Sequence, residues 1–218
     1  MYSQGQEEKF IVEFFNGKAG TLLDIGANDG KTFSNSLRLT ELGWDALLVE
    51  PSPTCQKKII ELHKDTKSIV RCVGIAIGTT TGAAIFHESG QLDDPALMGK
   101  ENISLVSTLV PSEMKRWDKL DMAWNAYEVQ VLCWHDFLKF IGFKNGTDTF
   151  DFISLDAEGV DIDILEQMDL NEIGVKLICI EWNSIPEIKE RILKHTSKFG
   201  MDNIIYQSGE NLLICRKQ

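Results

Sequence analysis

Asp24-Ile25-Gly26-Ala27-Asn28-Asp29-Gly30-Lys31 follows directly on the apolar run Thr21-Leu22-Leu23, so the chain leaves a buried strand through two glycines and an asparagine. Glycine and asparagine tolerate a left-handed backbone, and glycine also lets the main chain come close to another group. The stretch is therefore either a tight turn without a chemical role or a turn whose backbone approaches a ligand. Its surroundings decide between the two.

Working outward, Thr32 to Glu41 carries Phe33, Leu37 and Leu39 at helical spacing, and Gly43 closes that helix. Asp45-Ala-Leu-Leu-Val-Glu50 reads as a second buried strand, stopped by Pro51 and Pro53, and Pro53 opens a helix through Leu62. Ser68 to Gly78 reads as a third strand. Strands alternating with helices in this way predict a parallel sheet with right-handed crossovers.

The same pattern continues downstream. Ala83 to Glu88 is expected as a rim strand, and Val129 to Cys133 as a strand entering a helix over Asp136 to Phe140. Phe150 to Leu155 runs straight into Asp156-Ala-Glu158-Gly159, with a helix from Asp161 to Met168. Val175 to Ile180 ends in Glu181-Trp-Asn183, and an amphipathic helix spans Pro186 to Phe199. The tail, Asn203 to Gln207, Ser208-Gly-Glu-Asn211, then Leu212 to Cys215, reads as an antiparallel hairpin. A doubly wound sheet that finishes in a hairpin departs from the dinucleotide-binding arrangement of two equivalent halves.

The whole reads as a single domain, 1–218, with a helical extension over 1–19. Ser89 to Asn125 is irregular and rich in Met and Trp. The span 89–128 is expected to be a lid or acceptor-binding insertion, unless its aromatics merely cover the sheet.

Composition narrows the function classes. The chain is 43% hydrophobic and 25% charged, as an ordinary globular protein is. No apolar run approaches the ~20 residues of a membrane helix. The N-terminus lacks the basic and apolar regions of a secretory signal, so a cytoplasmic location is expected. Five cysteines without a Cys-x-x-Cys pair read as buried structural thiols. A net charge of -11, with no basic block longer than Lys57-Lys58 or Arg216-Lys217, makes nucleic acid a poor partner.

The turn itself is Gly26-x-Asn28-x-Gly30. A dinucleotide fingerprint would need glycine at positions 28 and 31, which are Asn and Lys, and a phosphate loop would need it at 25, which is Ile. An adenosine ligand without a diphosphate fits better. Glu50, twenty residues beyond Gly30 at the end of the second strand, is placed to accept both ribose hydroxyls. Pro51 fixes the strand end that aims this carboxylate. A capping turn beside a surface glutamate is the bland alternative.

These residues together resemble the FkbM-like family of S-adenosylmethionine-dependent methyltransferases. The resemblance is carried by Asp24 to Gly30, Gly43-Trp44, Val49-Glu50-Pro51-Ser52-Pro53, Ile153 to Asp161, Ile178 to Glu181 and the closing Asn211-Leu-Leu-Ile. It implies a Rossmann-like α/β fold: a seven-stranded, mostly parallel sheet with one reversed strand and helices on both faces. It also implies S-adenosyl-L-methionine as cofactor and, usually, transfer to oxygen. Carried over by position, Asp24, Gly26, Ala27, Asn28 and Gly30 would hold the methionine portion, Glu50 with Pro51 and Ser52 the ribose, and Val73 to Gly78, including Ala76, would flank the adenine. One departure stands out: many members carry lysine where this chain has Ser154.

Asp156, Glu158 and Glu181 sit at or just past the carboxyl ends of adjacent strands, the edge where open α/β sheets bind ligands. Asp156 is the leading candidate for a base or acceptor-orienting group, with Glu181 and Asn183 beside it. Alternatively Asp156 caps the following helix and Glu158 offsets its dipole. Asp156 with Glu181 also leaves a divalent metal open. His63 and His195 fall near helix ends, where an exposed or dipole-linked place is expected; His87 and His135 flank the irregular segment. The resulting expectation is an O-methyltransferase acting on a small-molecule or carbohydrate hydroxyl. A non-catalytic adenosyl-ligand-binding protein with the same fold is the alternative.

Overall fold

The structure is a computed structural model and describes residues 1–90, 106–116 and 123–217. Helix α1 (Glu7–Phe15) precedes β1 (Thr21–Ile25), α2 (Leu37–Glu41), β2 (Asp45–Val49), α3 (Pro53–His63) and β3 (Val70–Val73). Then come β4 (Ala76–Gly78), β5 (Gly82–Ser89), α4 (Pro111–Met114), β6 (Trp124–Cys133) and α5 (Trp134–Ile141). The chain finishes with β7 (Phe152–Leu155), α6 (Asp161–Leu165), β8 (Leu177–Glu181), α7 (Pro186–Thr196), β9 (Asn203–Gln207) and β10 (Asn211–Cys215).

Seven strands form the main sheet in the order β3-β2-β1-β7-β8-β10-β9. Strand β10 runs antiparallel to both of its neighbours, and the remaining pairs are parallel. The central strands alternate sides strictly. Leu22, Phe152, Leu177 and Leu213 enter one apolar cluster with Ile11 and Trp44; Leu23, Ile153, Ile178 and Leu212 enter the other with Phe137 and Ile192. Burial on both faces is why these strands read as continuous apolar runs rather than alternating ones.

Order and register place the site. The chain runs from β1 outward through β2 and β3, then returns to β7 on the other side of β1, so the sheet's switch point lies between β1 and β7. Ile25 is level with both Val49 and Leu155. Residues 26, 50 and 156 therefore leave three neighbouring strands side by side.

Several expected elements differ. The helix expected over Thr32 to Glu41 shrinks to α2, and Phe33 lies outside it with φ 54°, 42% exposed. The reason is local: Asp29 Oδ1 accepts from the Lys31 and Thr32 N–H groups (2.9 and 2.7 Å), and Ser34 Oγ accepts from the Leu37 N–H (3.0 Å). Such side-chain bonds to nearby backbone compete with helix formation. The third strand expected over Ser68 to Gly78 is two strands in two sheets, because β4 leaves the main sheet for a second one of order β4-β6-β5. Strand β6 begins at Trp124, earlier than the expected Val129, and pairs antiparallel with β5 from Gly82↔Val131 to Ser89↔Trp124. Its first residues, Trp124-Asn-Ala, break the alternation that Tyr127-Glu-Val-Gln-Val131 carries, and none of them is buried. Thus the span 89–128 begins and ends in paired strands, while its parts at 91–105 and 117–122 lie outside the described residues. Among the described residues no helix is long and apolar enough to cross a membrane.

His195 is not exposed. It is 5% accessible, its Nε2 lies 3.0 Å from the Met168 carbonyl oxygen, and burial holds its pKa below the usual 6.5. The unfolded chain therefore takes up a proton that the folded one resists, and His195 costs stability as pH falls below 6.5. Urea unfolding of His195→Gln should show a smaller loss of stability between about pH 8 and 5.5 than the parent chain. An unchanged pH dependence would remove His195 from it.

Candidate active site

The turn after β1 is held open by main-chain geometry. Gly26 (φ 83°), Asn28 (φ 48°) and Gly30 (φ 76°) all occupy the left-handed region. The N–H groups of Gly26 and Ala27 both donate to the Val49 carbonyl oxygen (3.0 and 3.2 Å), which binds the turn to the end of β2. At Gly26 a Cβ would lie 1.7 Å from the Asp156 carbonyl oxygen, so only glycine lets the two strand ends approach.

Glu50 closes the same turn from the other side. Its Oε2 accepts from the Asn28 N–H (2.9 Å) and its Oε1 from the Ser52 N–H (2.7 Å). The carboxylate is thereby fixed on the same edge as the turn, 5% exposed, with further lone pairs on each oxygen. Burial first, then the negative charges of Glu88 and Asp24, push its pKa up to about 8. Ser52 also caps α3, its hydroxyl oxygen accepting from the Cys55 N–H at 3.1 Å.

A cleft opens above these groups. Gly26, Asn28, Glu50, Pro51, Ala76, Asp156 and Glu158 line it, with Ile75 and Ile77 beside Ala76. The bend is therefore not filled by packed side chains. Asp24, Ala27, Gly30, Ser52 and Glu181 are not among the lining residues. Gly30 faces α3, where a Cβ would lie 3.1 Å from Ile59 Cγ1. Asp24 is 5% exposed and accepts from the Ser36 hydroxyl at 2.5 Å. Ser154 donates to it as well, so hydroxyls stand where many family members would offer lysine, and burial raises the Asp24 pKa to about 6.

At the far end, Asp156, Glu158 and Glu181 each bring a carboxylate oxygen within 4.8 Å of the others. Asp156 is exposed to solvent in the cleft, whereas Glu158 and Glu181 are half-buried. All three titrate above the usual carboxylate range, because of burial and then of mutual repulsion with Asp161, and Arg116 pulls them back. Together they hold fewer than three negative charges at neutral pH. Asp156 does not cap α6, whose N-terminal flank is Val160; instead Asp161 accepts from the Ala157 and Gly159 N–H groups (2.5 and 3.1 Å). The arrangement can share protons or hold a hard cation through its oxygens, with Arg116 already supplying positive charge.

The facing wall comes from Phe86 of β5, which sequence reasoning did not single out, with Ser107 and Leu109 from the 89–128 span expected as a lid or acceptor-binding insertion. Thr108 fastens this segment, exchanging backbone bonds with His87 (2.9 and 3.0 Å) and donating its hydroxyl to the Glu158 carbonyl oxygen (2.7 Å). Phe86 and Glu88 carried a faint signal, two inward positions of one strand; the 106–116 segment was marked only by the irregular composition of the wider 89–128 span.

A family model described as "Methyltransferase FkbM domain" matches residues 24–202. The chain belongs to this FkbM methyltransferase family. Its fold is that of S-adenosylmethionine-dependent methyltransferases. The FkbM methyltransferase of Methylobacillus flagellatus superposes with a TM-score of 0.53 at 14% identity, over 90% of this chain and 43% of that one. The chain therefore spans less than half of that relative. The ribosomal protein L11 methylase of Lactobacillus delbrueckii gives a TM-score of 0.48 at 12% identity, over 98% of this chain and 78% of that one. The 16S rRNA methylase ArmA gives 0.40 at 11%, over 96% and 80%. No curated protein matches the FkbM chain. The methyltransferase fold implies S-adenosylmethionine, and the site suits it: an open cleft over the strand ends, a glycine that admits no Cβ, and a fixed carboxylate beside it.

Proposed function

We propose that this FkbM domain binds S-adenosylmethionine in the cleft and methylates a hydroxyl of a small-molecule or carbohydrate acceptor. The observation that carries the reading is the pairing of the Gly26 to Gly30 turn with the Glu50 carboxylate across one open cleft. When bound, the cofactor supplies a methyl group activated by a sulfonium.

Each residue then has a task. Glu50 accepts the ribose hydroxyls, Ile75, Ala76 and Ile77 give an apolar flank for the purine, and the backbone from Gly26 to Asn28 admits the methionine portion close to β1, with Asp24 behind it. Phe86 and Leu109 keep water from the reacting end, and positioning supplies most of the acceleration. Asp156 takes the proton that an acceptor hydroxyl must lose. Its raised pKa suits a base working near neutral pH. Glu158 and Glu181 orient the acceptor, and the 89–128 insertion forms the acceptor wall. A net charge of -11 favours a small acceptor over a polyanion.

S-adenosylhomocysteine should raise the melting temperature whereas NAD should not; methyl release with a panel of hydroxylated acceptors then separates an enzyme from a non-catalytic binder. Within that assay Asp156→Asn should lower turnover by about a hundredfold or more while leaving S-adenosylhomocysteine affinity unchanged. Parental turnover in this variant would take Asp156 out of the chemistry.

A further inference from the structure

Two buried carboxylates, Glu50 and Glu88, share one intermediary, Ser52. They are 5% and 8% exposed and Ser52 is 1% exposed. The Ser52 N–H donates to Glu50 Oε1 at 2.7 Å, while its hydroxyl donates to Glu88 Oε1. The same hydroxyl oxygen already accepts from the Cys55 N–H, so its one proton is committed to Glu88. Glu88 stands on β5 in the second sheet, whereas Ser52 and Glu50 follow β2 of the main sheet. The contact thus clasps the two sheets behind the cleft.

Among the described residues neither carboxylate has an ion-pair partner. The titratable groups around Glu50 are Asp24 from β1, Cys72 from β3, Glu88 from β5 and Tyr127 from β6, none of them basic. An unpaired buried acid is costly, and a second one beside the first more so.

We propose that Glu88 is a positioning residue for the cofactor: by holding the Ser52 hydroxyl it fixes the Ser52 N–H that aims Glu50 at the ribose. The inference rests on the cofactor reading above. Glu88 has an electrostatic consequence as well, since its charge opposes ionisation of Glu50, and an ionised Glu50 is the better acceptor for ribose hydroxyls. Affinity should therefore rise with pH, at a midpoint that Glu88 helps to set.

Isothermal titration of S-adenosylhomocysteine between about pH 6 and 9 tests this on the full chain and two variants. Glu88→Gln keeps an acceptor for Ser52 but removes the charge, so its midpoint should fall by about one pH unit. Glu88→Ala removes the acceptor and should weaken binding about tenfold on the alkaline plateau. A purely structural Glu88 would change the melting temperature without moving the midpoint. If Glu88→Ala does not fold, Ser52→Ala decides, because it removes the hydroxyl that Glu88 holds and keeps the N–H on Glu50: parental affinity on the alkaline plateau overturns the role. Failure of the parent chain to bind S-adenosylhomocysteine at any pH overturns the cofactor reading and this role with it.

Discussion

At about pH 9, where Glu50 is ionised, Glu50→Gln should bind S-adenosylhomocysteine about a hundredfold more weakly than the parent chain, as measured by isothermal titration. Two losses combine. Each Glu50 oxygen already accepts a backbone N–H, from Asn28 and Ser52, and glutamine offers only one oxygen, so its amide would face one of those N–H groups donor to donor. The ribose hydroxyls would also lose a charged acceptor, worth more than a neutral one. The pH dependence of binding should flatten with it. In the free protein the Glu50 pKa is raised from 4.5 to about 8, so the stability it contributes is full below 4.5 and is lost as pH rises through about 8. Ligand binding should run the other way and strengthen over the same interval. Parental affinity in Glu50→Gln would refute a ribose contact at this carboxylate.

Among the described glycines, Gly26→Ala should be the most damaging single-methyl change. Its Cβ would lie 1.7 Å from the Asp156 carbonyl oxygen, which is main chain and has no rotamer to move to. The positive φ of 83° adds strain for any L side chain. Relief requires the ends of β1 and β7 to separate, although the Asp156 N–H donates to the Ile25 carbonyl oxygen there at 3.0 Å. A loss of about 3 kcal/mol is expected, which for a chain of this size lowers the melting temperature by roughly 6 to 12 °C, together with loss of S-adenosylhomocysteine binding. Normal melting and normal binding would mean that the backbone tolerates a wider turn, and that its close approach does not matter.

The sequence marked the parts of this site that follow strand ends. Gly26, Asn28 and Glu50 were legible because a short apolar run followed at once by glycine or proline leaves few backbone paths. Asp156 and Glu181 were legible as the acids that end two further short apolar runs, Phe152 to Leu155 and Leu177 to Ile180. Of the facing wall, the span holding Ser107 and Leu109 was marked but not those residues within it, and Phe86 was not marked, because Ala83-Ala-Ile-Phe86 is a continuous apolar run that does not show which side faces inward. Likewise the break between β3 and β4 was hidden: β-branched and apolar residues continue on both sides of Gly74, so one strand and two strands look alike. His195 appeared as a polar residue near a helix end, and only the packing of Phe199 and the Met168 carbonyl around it reveal a buried, neutral ring.

By itself the sequence determined the alternation of strands and helices apart from the division between β3 and β4, the closing hairpin and the fingerprint of the bend, since these depend on local periodicity and on residues with restricted backbone freedom. It also put Asp156, Glu158 and Glu181 at neighbouring strand ends, where their carboxylates do meet, but it could not show that Glu88 reaches Ser52. Strand order and register alone bring residues 26, 50 and 156 level, and only the second sheet carries Glu88 to Ser52. Charges far apart in the chain perturb one another through space and burial, quantities that pairing distances set and that no local pattern encodes.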